Sequence, residues 1–148
     1  MGIRHVYRER LSFPALPQSI ESFAHRWNQD GKLRAIIIED KASGISAIQT
    51  LRSSAPDWIR EILVPFSPSG DKEYRAKQAA VWCANGSVWL PEPDEDAPWL
   101  FDFEQELFEF PRAAFADQVD AFAQMILYTE HLLSAGHHAR ENVGEEYA

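Results

Sequence analysis

Cysteine is almost missing from this 148-residue chain, with Cys83 the single example. No intrachain disulfide can form, and a thiolate metal cluster is excluded. Long apolar runs are missing too. Nothing approaches the roughly 18 consecutive apolar residues of a membrane span, and Met1-Gly2-Ile3-Arg4-His5 lacks the apolar core of a signal peptide. Positive charge is scarce: 14 Lys and Arg against 23 Asp and Glu leave a net charge of −9. That excludes a surface given over wholly to gripping nucleic acid, yet it permits a local basic patch around an acidic metal site. There is no internal repeat, no interior linker and no Gly-x-x-x-x-Gly-Lys-Ser/Thr phosphate loop. The expectation is a cytoplasmic protein with no membrane partner.

What is present is ordinary globular material, 45% hydrophobic and 25% charged. The length suits one core better than two domains. The most informative stretch is Ala35-Ile36-Ile37-Ile38-Glu39-Asp40-Lys41-Ala42-Ser43-Gly44. Its β-branched run reads as a strand buried on both faces, and Ile45, Ile48 and Leu51 behind it carry a helical period. A strand that ends in acids and turns into a helix delivers those acids to the carboxyl edge of an α/β sheet, where ligands bind. Taken alone, Glu39 and Asp40 read as polar residues that close a strand and favour the following helix start; the second acidic pair, Asp117 and Asp120, shifts the balance.

Elsewhere, His5–Leu11 favours strand by its β-formers, and Ser19 is placed to cap a helix carrying Ile20, Phe23, Ala24 and Trp27. Gly44 to about Ser53 reads as helix and Ile59–Pro65 as strand. Asp71 opens a helix that ends at Asn85-Gly86, and Ser87–Pro91 reads as a short strand. Trp99, Phe103, Leu107 and Phe110 form a helical apolar stripe, broken by Pro111. Asp117 to about Ala135 forms the last helix, with a flexible tail over residues 136–148. Alternation of strands and helices implies α/β layering, with the Ala35–Ile38 strand parallel to Ile59–Pro65.

Asp117 and Asp120 lie three apart at the start of that last helix, so both carboxylates can aim at one point. Acids there also serve as caps and dipole partners. Joined with Glu39 and Asp40, they would form an oxygen-only cluster of the kind that selects Mg²⁺ or Mn²⁺. Lys72 and Arg75, with Lys77, give a small basic face at a helix start, read either as solvated surface or as phosphate contact.

Five stretches then occur in order: Ile38-Glu39-Asp40-Lys41-Ala42-Ser43-Gly44, Gly70-Asp71-Lys72-x-x-Arg75, Val88-Trp89-Leu90-Pro91, Ala97-Pro98-Trp99-Leu100 and Asp117-Gln118-Val119-Asp120-Ala121. Together they resemble the C-terminal nuclease domain of the large terminase subunit of tailed bacteriophages. The similarity runs from about His5 to Tyr128. It implies an RNase H-like mixed sheet with flanking helices, and a two-metal endonuclease that cuts double-stranded DNA during genome packaging in a bacterial host. It implies catalytic roles for Glu39, Asp117 and Asp120, with Asp40 joining them as a metal ligand for Mg²⁺ or Mn²⁺. Lys41, Lys72 and Arg75 would face the DNA. Against the family pattern the chain begins at the third strand, so a partial domain over residues 1–135 is expected, lacking the first two strands and their aspartate. Weak or no cleavage by the chain alone follows. The alternative is a non-catalytic α/β partner-binding module, or half of a split terminase completed by an upstream fragment.

Overall fold

The computed structural model describes the backbone of residues 1–144 and the side chains of residues 1–134. The chain divides into two compact units, Glu9–Pro68 and Met1–Arg8 together with the chain from Ser69 onward. Length alone suggests one core. The buried apolar residues instead gather into two clusters.

In the Glu9–Pro68 unit, α1 (Ala15–Trp27) is followed by β1 (Ile36–Glu39), α2 (Ser43–Ser54), α3 (Asp57–Glu61) and β2 (Leu63–Phe66). Helix α1 starts four residues before Ser19 and takes Pro17 into its first turn. Proline is tolerated there because the first amides of a helix have no intrahelical acceptor. β1 and β2 run parallel, with Ile36 opposite Leu63 and Glu39 opposite Phe66, as the strand–helix–strand reading predicts. Ile59 does not join the strand. It sits fully buried in α3, whose first turn opens on the Pro56 carbonyl. β2 instead carries Pro65. The carbonyls of Ile62 and Phe66 accept from Ile36 and Asp40, so by the two-residue period Pro65 turns its missing N–H away from β1. Ile36 and Ile38, two apart, pack on a core of Ala24, Ile48, Leu51, Ala55, Ile59 and Leu63.

In the other unit, α4 (Lys72–Ala84), α5 (Leu100–Glu109) and α6 (Asp117–Gly144) pack around Ala79, Phe103, Phe122, Ala123 and Ile126. Phe103 meets Trp99 and Phe122 edge-on, with ring centroids 5.9 and 5.8 Å apart. Met1, Ile3 and Val6 cover the same core. The strand expected over His5–Leu11 does not form. Arg4, Tyr7, Arg8, Glu9 and Arg10 are all exposed, so neither face of that segment could be buried as a strand. The expected Ser87–Pro91 strand contracts to one parallel bridge, Gly2 with Trp89, ahead of Pro91. α6 runs past Ala135 to Gly144, through residues assigned to the tail; the remainder of that tail, residues 145–148, lies outside the described residues. The whole is a mixed α/β chain whose named strands form one two-stranded parallel sheet among the described residues.

Candidate functional site

The strand-end acids are set by a tight turn. β1 closes with the Asp40 amide donating to the Phe66 carbonyl at 3.0 Å, which fixes the backbone at its carboxyl end. The Lys41 amide then donates to the Glu39 carbonyl, and the Gly44 amide to the Lys41 carbonyl, both at 2.9 Å. Ala42 takes φ 49° and ψ −123°, the first central position of a type II′ turn that glycine ordinarily fills. Gly44 is needed for a different reason: a Cβ there would lie 2.0 Å from the Glu39 carbonyl oxygen. Glu39 is half-buried, while Asp40 and Lys41 are exposed.

The helix-borne acids belong to the other unit. Asp71 caps α4 by accepting from the Tyr74 amide at 2.8 Å. One turn on, Arg75 is buried and reaches three ways. Its Nε and Nη2 donate to Asp120 Oδ1 at 3.0 and 2.5 Å, and its Nη1 donates to the Gly70 carbonyl at 2.7 Å. The sequence reading turns Arg75 toward DNA; in the structure its guanidinium is directed inward, 6% exposed. Lys72 is half-exposed, its Nζ 3.7 Å from Asp117 Oδ1 and 3.6 Å from Asp120 Oδ2. Two carboxylates one helical turn apart thus share a single ammonium.

Sequence reasoning missed Glu106. This α5 carboxylate is 5% exposed and receives the Gln118 amide at 2.7 Å, the Gln118 side-chain amide at 2.7 Å and the Val119 amide at 3.4 Å. Arg8 approaches its other side at 3.6 Å while lying over the Phe115 ring. Ala116, just before α6, has no side-chain oxygen to cap the helix, so Glu106 supplies the acceptor from a neighbouring helix. A signal was present: Phe103, Glu106, Leu107 and Phe110 share one helical face, and a carboxylate among apolar residues there requires a partner.

Among the described residues, no three His, Cys, Asp or Glu side chains gather into a group able to hold a metal ion. Asp117 and Asp120 already meet two cations, with Lys72 near both carboxylates and Arg75 on Asp120 Oδ1. Magnesium is commonly held through one or two carboxylates together with substrate phosphates, which the chain alone does not supply.

No curated protein and no solved structure matches the chain. The family model described as the terminase RNaseH-like domain matches residues 3–129, nearly the whole sequence. The chain belongs to the family of terminase RNaseH-like domains.

Proposed function

We propose that this chain is a DNA-handling nuclease domain of the phage-packaging type, weak or silent in cleavage on its own. The observation that carries the reading is the pair Asp117 and Asp120 on the first turn of α6, facing one shared cation. In this reading Glu39, Asp117 and Asp120 are the catalytic carboxylates. Asp40 joins them in holding Mg²⁺ or Mn²⁺. When bound, such an ion activates water and stabilises the leaving oxygen of a phosphodiester. Lys41 and Lys72, both exposed, attract the phosphate backbone. Arg75 supports the site from below, since its inward hydrogen bonds hold Asp120 in place. With two carboxylates of α6 sharing their charge with Lys72, the acid pair offers too little free anionic oxygen to hold two ions tightly.

The test is DNA binding and plasmid cleavage by the full chain with Mg²⁺ and Mn²⁺, beside a Glu39→Ala/Asp117→Ala double variant. Salt-sensitive DNA binding is expected, weakened by Lys41→Ala and Lys72→Ala, with at most trace nicking in manganese that the double variant loses. Absence of DNA binding at low salt overturns the reading. Brisk cleavage overturns the claim of weakness.

A second reading is favoured by the two-stranded sheet. Among the described residues β1 and β2 form a two-stranded ladder, and a strand from another chain could extend such a ladder at an outer edge. An upstream terminase fragment is the proposed occupant. Co-expression with the product of the adjacent upstream reading frame should yield a stable complex, and independent elution of the two chains would exclude it.

A further inference from the structure

Helix α5 buries Leu100, Phe103 and Glu106 and leaves Phe101 and Phe108 outward, 73% and 79% exposed. Among the described residues these are the two most exposed large apolar side chains. Seven residues apart, they lie on one helix face, about two turns or roughly 10 Å from each other. An outward helix face is ordinarily polar, so a pair of bare rings there points to a partner. At the start of α5 the same face runs into an open groove of about 500 Å³. Ala97, Leu100 and Phe101 give it apolar lining, and Asp94, Glu95 and Glu104 give it acids. The loop wall is tied down: Asp94 accepts from the Asp96 amide at 2.9 Å, and the Leu100 amide donates to the Ala97 carbonyl at 3.0 Å. Charge around the rings has one sign. Residues 78–111 contain eight Asp and Glu and no Lys or Arg, and of these acids only Glu106 is buried. Among the described residues Glu95, Asp102 and Glu104 form no ion pair. Glu9–Pro68, by contrast, balances seven acids with seven Lys and Arg.

We propose that the outer face of α5, with the groove at its start, docks a basic amphipathic helix of another protein. Its apolar residues seat on Phe101, Phe108 and the groove, and its Lys or Arg side chains meet Asp94, Glu95 and Glu104. Helices laid into apolar grooves place their anchors at three-, four- and seven-residue spacing, which the separation of the two rings matches. Complementary charge chooses the occupant. Phosphate-bearing DNA and anionic membranes are repelled by this face, and a second copy of the chain brings the same negative charge to it. The rings supply affinity, while the acids supply the rate of encounter and exclude acidic competitors. The surface is independent of Glu39, Asp117 and Asp120, so it does not rest on the nuclease reading.

The experiment is fluorescence anisotropy of the full chain with a labelled Leu/Lys amphipathic peptide of about four helical turns. An oligolysine of equal length, without leucine, serves as the charge-only probe. Phe101→Ser/Phe108→Ser should weaken Leu/Lys binding by about tenfold, the order for losing aromatic anchors, and leave oligolysine binding unchanged. Phe101→Met/Phe108→Met, which keeps the face apolar, should retain most of the affinity. Glu95→Gln/Glu104→Gln should weaken binding by about threefold and flatten its salt dependence. Glu21→Gln/Glu61→Gln, which removes as much charge from Glu9–Pro68, should leave it unchanged. Thermal melts check folding, and the exposed positions of both rings predict melts like the parent's. No binding of the Leu/Lys peptide at low salt, full binding by the serine variant, or equal losses in the two glutamine variants each overturns the proposal. A parent dimer in sedimentation equilibrium that dissociates in the serine variant also overturns it, by seating a second copy on this face.

Discussion

Arg75 of α4 places two guanidinium nitrogens on one carboxylate oxygen of Asp120 in α6, across 45 residues of sequence and with both side chains buried. The pair ties the two helices together at the end where α6 begins. Removing the cation leaves a buried carboxylate with only Lys72 nearby. Arg75→Met should therefore lower stability by about 3 kcal/mol, whereas Arg75→Met with Asp120→Leu should cost clearly less, because no orphaned charge remains. Urea unfolding of the two variants checks this; equal losses would mean that the pair contributes packing alone.

Glu106 acts on the same helix from the other side. Glu106→Ala strips the acceptor from the Gln118 and Val119 amides and from the Gln118 side chain. A loss of about 2 kcal/mol is expected, comparable to deleting a strong N-cap. Glu106→Gln keeps an oxygen for the amides and should lose roughly half as much. Amide hydrogen exchange should quicken first at Gln118 and Val119 in the alanine variant.

The turn behind β1 gives two opposite expectations. Gly44→Ala drives a methyl into the Glu39 carbonyl, 2.0 Å away, and should cost about 3 kcal/mol. Ala42→Gly relieves a positive φ of 49° and should gain roughly 1 kcal/mol after the entropy that glycine adds to the unfolded chain. Thermal melts of both variants decide the signs.

Cys83 lies at the surface, yet desolvation raises its thiol pKa above the ordinary value, a shift that a backbone hydrogen bond partly offsets. A higher pKa leaves less thiolate at neutral pH, and thiolate is the reactive form. Iodoacetamide should label Cys83 more slowly than a short unfolded peptide at pH 7, with a rate that climbs at higher pH than the peptide's. Equal rates and midpoints would contradict the shift.

Much of the architecture was legible because its signals were local. The β-branched run before Glu39 and the helical period behind Gly44 located β1 and α2 and gave their parallel partner. Asp71 announced α4 as a cap, and Asp117 announced α6. The misreadings came where two tendencies competed. At Ile59 the helix opened by Pro56 prevailed over β propensity, and at Ser87–Pro91 the closing proline cut pairing to a single bridge. For the site, spacing located Asp117 and Asp120 on one face. It gave no hint that Arg75 turns inward, because a helix-start arginine looks alike in sequence whether it faces water or a buried acid 45 residues away.

The division of the chain also carries a consequence for the order in which its parts can mature. Met1–Arg8 belongs with the chain from Ser69 onward, while Glu9–Pro68 forms a unit between them. During synthesis Glu9–Pro68 emerges complete, with both strands and its own apolar cluster, before α4, α5 and α6 exist. Met1, Ile3 and Val6 meet Phe122 and Ile126 only after the ribosome has passed α6. Until then Met1–Arg8, made ahead of Glu9–Pro68, still waits for the core it joins.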